Sequence, residues 1–275
     1  MTLPAPPLTA RGSDRTVNRL ALLIYGGGAV FLAPWIVLLY LSQPQEAGAY
    51  HLKLTSLGMS VFSVVALLVS AAAFRKRAST AVVWGTSAAT YLFISGWFNT
   101  LTTNHGPLAI VLLNDALVKM PLIVLSIWFA LNMTRTRGSN VAVPRWFPNV
   151  CLAAAIVFIP LFITAASVTP RTAQLHNLRL FWTGLDVFEL IGMALTGWYL
   201  LRRSPNVAIA ATITGSIMFS DAWFNVVTTV GNPHRAALVM AVVEVPIAIY
   251  SFRIARRQVS SWSLGLAEPV LGGIR

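Results

Sequence analysis

The sequence predicts an all-α integral membrane protein: eight transmembrane helices, arranged as a tandem duplication of a four-helix unit. Three observations predict it. Of the 275 residues, 56% are hydrophobic and only 10% are charged, where a soluble domain carries about 25% charged residues. Several apolar runs reach about 20 residues, enough to cross ~30 Å of hydrocarbon as a helix. They are continuous rather than alternating, which favours helices over a barrel. Finally, Trp97-Phe98-Asn99 and Thr102 return 126 residues later as Trp223-Phe224-Asn225 and Thr228.

The elements follow in order from apolar runs and the polar residues that end them. Residues 1–18 are polar and Pro-rich at their start, lack an apolar signal core, and read as a disordered tail. Helix 1 is expected over about Leu20–Leu41, with Pro34 inside it. Helix 2 covers about Leu54–Phe74 and stops at Arg75-Lys76-Arg77. Helix 3 covers about Thr80–Thr102 and helix 4 about Leu108–Asn132, with Pro121 inside. Together, residues 19–135 form the first repeat. Residues 136–147, rich in Arg, Gly and Pro, are the linker. The second repeat, residues 148–258, holds helix 5 (about Val150–Ser167), helix 6 (about Leu178–Leu201), helix 7 (from about Val207) and helix 8 (about Ala236–Arg253). Residues 259–275 are a second tail. Pro160 matches Pro34, Gly184 matches Gly58 and Phe188 matches Phe62, each at the same spacing. Pro246 matches Pro121 with a one-residue slip. Each unit has an even number of spans, so the halves share an orientation and a pseudo-two-fold axis along the membrane normal is expected.

The formal net charge of +12 does not point to nucleic acid. Fifteen of the 20 Lys and Arg fall in every second loop and in the two tails, as in Arg75-Lys76-Arg77 and Arg202-Arg203. That bias is the positive-inside rule, so a cell-membrane location with both termini cytoplasmic is expected. The single cysteine, Cys151, excludes an internal disulfide and sits in an apolar run.

Of eight acidic residues, five fall inside expected spans: Asp115, Asp186, Glu189, Asp221 and Glu244, joined by Lys119. A charge at the bilayer centre costs about 2.5–3.5 kcal/mol on insertion scales, so such groups face the bundle or a wet cavity. At ~1.5 Å of rise per residue, Asp115, Asp186 and Glu244 lie roughly 10–12 Å from the outer ends of their helices. Glu189 and Lys119 follow a turn deeper, and Asp221 lies two turns below the end of helix 7, so one layer of charge is expected. Asp221, Asn225 and Thr228 share a helical face at i, i+4 and i+7. Asp115 and Lys119 are placed for an i, i+4 ion pair. At the equivalent positions the first half carries Ser60 for Asp186, Ser63 for Glu189, Ser95 for Asp221, and Lys119 for Glu244. Asn99 and Thr102 stand for Asn225 and Thr228. A layer this acidic needs protons held on its carboxyls or a bound cation. The competing reading is a structural network, with Lys119 bridging Asp115 and Glu244.

His51, His105, His176 and His234 each flank an outer helix end. They are weak candidates for metal or haem, because no HExxH, CxxC or paired-His spacing accompanies them. The layout of four plus four helices with these histidines is similar in outline to haem A synthases, whose Cys pair and Glu-x-x-x-His pattern are absent. No cofactor is required by the sequence.

The run Asp221-Ala222-Trp223-Phe224-Asn225-Val226-Val227-Thr228-Thr229, followed by Glu244-Val245-Pro246, resembles a D-A-W-F-D/N … E-L-P pattern of uncharacterised actinobacterial multi-pass membrane proteins. The resemblance covers helices 7 and 8 and implies a fold without an activity. Asn225 stands where many relatives carry aspartate. Three function classes follow: a proton- or cation-coupled transporter using the acidic layer, a membrane enzyme with those carboxylates as acid/base groups or metal ligands, or a non-catalytic membrane subunit.

Overall fold

The computed structural model describes residues 9–42, 50–76, 78–102, 108–135, 137, 139, 141–168, 177–228 and 234–264. The described residues form eight helices and no strand. They are α1 (Thr9–Ser42), α2 (Tyr50–Arg75), α3 (Ala81–Thr102), α4, α5 (Phe147–Val168), α6 (Leu178–Leu201), α7 (Val207–Thr228) and α8 (His234–Leu264). Helix α4 consists of Leu108–Asn114 and Met120–Thr134 joined by a π turn, Asp115–Lys119. Six of the eight, α1, α2, α4, α6, α7 and α8, are long and apolar enough to cross a membrane. The chain is therefore built as a multi-pass membrane protein. Its outer faces carry exposed apolar stripes, such as Val61, Val65 and Leu68 on α2, which suit lipid rather than water.

Two helix ends differ from expectation. Helix α1 begins at Thr9, inside the stretch read as a tail, and α8 runs to Leu264, past the expected end of the second repeat. Extending a formed helix adds one backbone hydrogen bond per residue, and no proline interrupts either extension. On α8 the extra turns also pack: Val259 and Trp262 are buried with Val82, Val207 and Ala211. The prolines differ in their effect. Helices α1, α5 and α8 continue through Pro34, Pro160 and Pro246, so these residues do not break their helices. Only Pro121 coincides with an irregularity. It has no N–H to give to the carbonyl four residues back, and the ladder shifts so that Met120 N–H bonds to the Asp115 carbonyl.

Helices α3 and α7 pack on each other at the centre. Helices α2 and α4 flank α3, α6 and α8 flank α7, and α1 and α5 lie outside against α2 and α6. The centre explains the hydropathy of α3. It is almost wholly buried by protein and rich in Ala, Ser, Thr and Gly, which let backbones approach closely; a helix that meets little lipid has no need of a fully apolar surface.

Across the centre the contacts are reciprocal. Gly58 of α2 lies under the Trp223 indole of α7, and a Cβ there would stand 2.5 Å from Trp223 Nε1. Gly184 of α6 lies under the Trp97 indole of α3, with the corresponding distance 3.1 Å. Phe62 meets Trp223 edge-on at 5.4 Å and 77°, and Phe188 meets Trp97 at 6.1 Å and 75°. Phe62 also meets Phe219 at 5.2 Å, and Phe188 meets Phe93 at 5.1 Å. On the dividing line, Phe98 lies 5.5 Å from Phe224. Every one of these residues has its counterpart 126 positions away.

Candidate functional site

Three helices of the second half carry acids toward one point. Asp186 and Glu189 are one turn apart on α6, Asp221 lies on α7, and Glu244 on α8. Asp186, Glu189 and Asp221 each offer one carboxylate oxygen, and the three oxygens lie within 4.8 Å of one another. Glu189, Asp221 and Glu244 are each only 4% exposed, while Asp186 is partly exposed. The Asp221 side chain lies within hydrogen-bonding reach of both Glu189 and Glu244. Asn225 Nδ2 donates to both oxygens of Glu244, at 3.1 and 3.2 Å. One oxygen on each of two of these residues, Glu189 Oε1 and Asp221 Oδ1, is buried and receives no hydrogen bond. Among the described residues no lysine, arginine or histidine forms an ion pair with any of these four acids.

The first half has a different solution. Lys119 Nζ lies 2.8 Å from Asp115 Oδ1. The contact is an ion pair rather than a well-directed hydrogen bond, since Asp115 Oδ1 has no hydrogen-bond partner by geometry. Thr100 Oγ1 donates to the other oxygen, Asp115 Oδ2, at 3.0 Å, and Lys119 Nζ donates to Ser95 Oγ at 3.3 Å. Ser60, Ser63, Ser95 and Lys119 line one small cavity with Leu32, Trp35, Ile36 and Leu92. Its volume of about 10 Å³ is room for a single water. The residues expected to correspond to Asp186, Glu189, Asp221 and Glu244 therefore meet around one point as well.

The charges accordingly divide into two groups. Lys119 pairs with Asp115 and does not bridge to Glu244, whose carboxylate is held by Asn225. The reason is topological: α4 packs on α3 and α8 packs on α7, so residues of these outer helices meet their own central helix. Asn99 and Thr102 stand apart from the serine cavity. Asn99 Oδ1 accepts from Ser56 Oγ at 3.1 Å, and Thr102 Oγ1 donates to its own helix at Phe98 O. Spacing alone missed Trp35, whose place in the cavity depends on how α1 packs. The π turn under Lys119 had a signal in Pro121.

His105 and His176 lie outside the described residues. The side chains of His51, His234 and Thr228 do also, as do those of two basic residues in the first turns of α6 and α8, Arg179 and Arg235. Among the described residues, the cluster of Asp186, Glu189 and Asp221 offers carboxylate oxygens only. Carboxylate oxygens serve protons and hard cations such as Mg²⁺, Ca²⁺ and Mn²⁺ rather than soft metals. No protein-family model, no curated protein and no solved structure matches the chain.

Proposed function

We propose that the chain is a cell-membrane protein of eight transmembrane helices, with both termini cytoplasmic, that acts as a proton- or cation-coupled transporter. The coupling ion is held by Asp186, Glu189 and Asp221, with Glu244 and Asn225 beside them. One observation carries the reading: three carboxylates converge within 4.8 Å in a buried site with no described cationic partner. Like charges at that separation repel strongly in a medium of low dielectric. A sequence retaining three of them therefore gains from an ion that shuttles in and out. The duplication belongs to the same proposal. It is supported by the reciprocal Gly58–Trp223 and Gly184–Trp97 contacts and by the packing of α3 on α7. Such pseudo-symmetric halves around a shared centre are a recurrent transporter plan.

The test is uptake of protons or metal cations into proteoliposomes by the wild type and by Asp221→Asn. Equal flux in the two, or none in either across a broad ion panel, sinks the proposal. A purely structural network is a second reading, favoured by the two-armed Asn225–Glu244 contact. Lowered thermal stability with unchanged flux in Glu244→Gln supports that reading instead.

A further inference from the structure

The first half indicates what the second half takes. At the position equivalent to Glu244 it carries Lys119, whose ammonium lines the same cavity as Ser60, Ser63 and Ser95. The chain thus tethers one positive charge there, and Asp115 neutralises it. In the second half the tethered charge is replaced by Glu244, and the three serines become Asp186, Glu189 and Asp221. The place held by an ammonium in one half is ringed by carboxylates in the other. Glu189 Oε1 and Asp221 Oδ1, each on a residue more than nine-tenths buried, receive no hydrogen bond from any donor among the described residues.

We infer that Asp186, Glu189 and Asp221 form a site for one divalent hard metal cation of Ca²⁺ or Mn²⁺ size. This rests on the cation-site reading above and narrows it. Ca²⁺ takes oxygen ligands at about 2.3–2.6 Å, so oxygens that share one ion lie no more than about 5 Å apart, and three oxygens within 4.8 Å of one another meet that limit. A divalent charge balances two of the three carboxylates, and Glu244 is already engaged by Asn225. Asp186, the least buried of the three, is the side from which the ion enters.

The experiment titrates purified full-length protein in detergent with Mn²⁺ and reads free Mn²⁺ by electron paramagnetic resonance. The expected result is about one Mn²⁺ per chain, displaced by Ca²⁺ and not by Na⁺. Asp221→Asn weakens binding by at least about tenfold, the scale seen even for outer-shell partners of metal ligands. Ser95→Ala, at the equivalent place in the other half, leaves binding intact. Glu244→Lys places an ammonium beside the acids, as in the first half, and removes Mn²⁺ binding while thermal unfolding stays cooperative. If that variant does not fold, the contrast between Asp221→Asn and Ser95→Ala decides. Absence of saturable Mn²⁺ binding, or binding that survives Asp221→Asn, overturns the inference. Uptake of protons or Na⁺ that depends on Asp221 without Mn²⁺ binding overturns the metal site alone, whereas Mn²⁺ binding without any uptake supports the site and overturns transport.

Discussion

The two charged clusters, one in each half of the chain, differ in how their charge is met. In the first, Lys119 faces Asp115 at 2.8 Å amid hydroxyls. In the second, three carboxylates converge within 4.8 Å and no described cationic side chain pairs with them. The apolar framework around both is shared, down to a glycine beneath a tryptophan on each side. The difference teaches where to look for function. The Asp115–Lys119 pair balances its charge within the chain, whereas the second cluster has no cationic partner among the described residues, and that is why the proposed ion site is placed there.

Substitutions that exchange these conditions give effects of opposite sign. The largest is expected from Lys119→Met, which leaves Asp115 without its partner; removing one member of a buried pair costs about 3–5 kcal/mol. Thermal unfolding in detergent reads this, and adding Asp115→Leu restores most of the loss. In the second half, removing a charge has the reverse effect. With divalent ions chelated, Asp221→Asn raises stability by up to about 3 kcal/mol, the repulsion of one like-charge pair at this separation and intermediate dielectric. A loss of stability on the same scale contradicts the comparison.

The shared framework gives the next effect. Gly58→Ala forces a methyl against the Trp223 indole and costs about 1–3 kcal/mol, as overpacking does. Gly184→Ala costs less, because its methyl meets Trp97 at 3.1 Å rather than 2.5 Å. Equal losses break the claim that the two contacts differ in tightness. The smallest effect is Ser56→Ala, which removes the bond to Asn99 and costs about 0.6 kcal/mol, the mean for polar bonds between membrane helices.

Much of this was legible in the residues because the lipid environment simplifies the code. An apolar run ended by Arg75-Lys76 or Arg202-Arg203 marks a helix with little ambiguity, and α6 spans Leu178–Leu201 as expected. The acids were legible as a group for the same reason, since a charge inside a span is costly enough to require a purpose. Other features depend on tertiary packing. Depth along a helix says nothing about which neighbour a side chain meets, so one layer of charge became two clusters. A proline signals a lost hydrogen bond, yet only Pro121 altered its helix; the others sit in helices that continue past them. The 126-residue match paired Gly58 with Gly184 and Trp97 with Trp223, but that each glycine sits under the opposite half's tryptophan is visible only once α3 and α7 are packed together.

The most direct test makes the second half resemble the first at one position. Asp221→Ser installs the residue that Ser95 represents, and cation or proton uptake into proteoliposomes is compared with that of the wild type and of Ser95→Ala. The expected result is loss of uptake in Asp221→Ser and retention in Ser95→Ala. Uptake unchanged in Asp221→Ser, or lost equally in both variants, contradicts the assignment of the ion site to the second half.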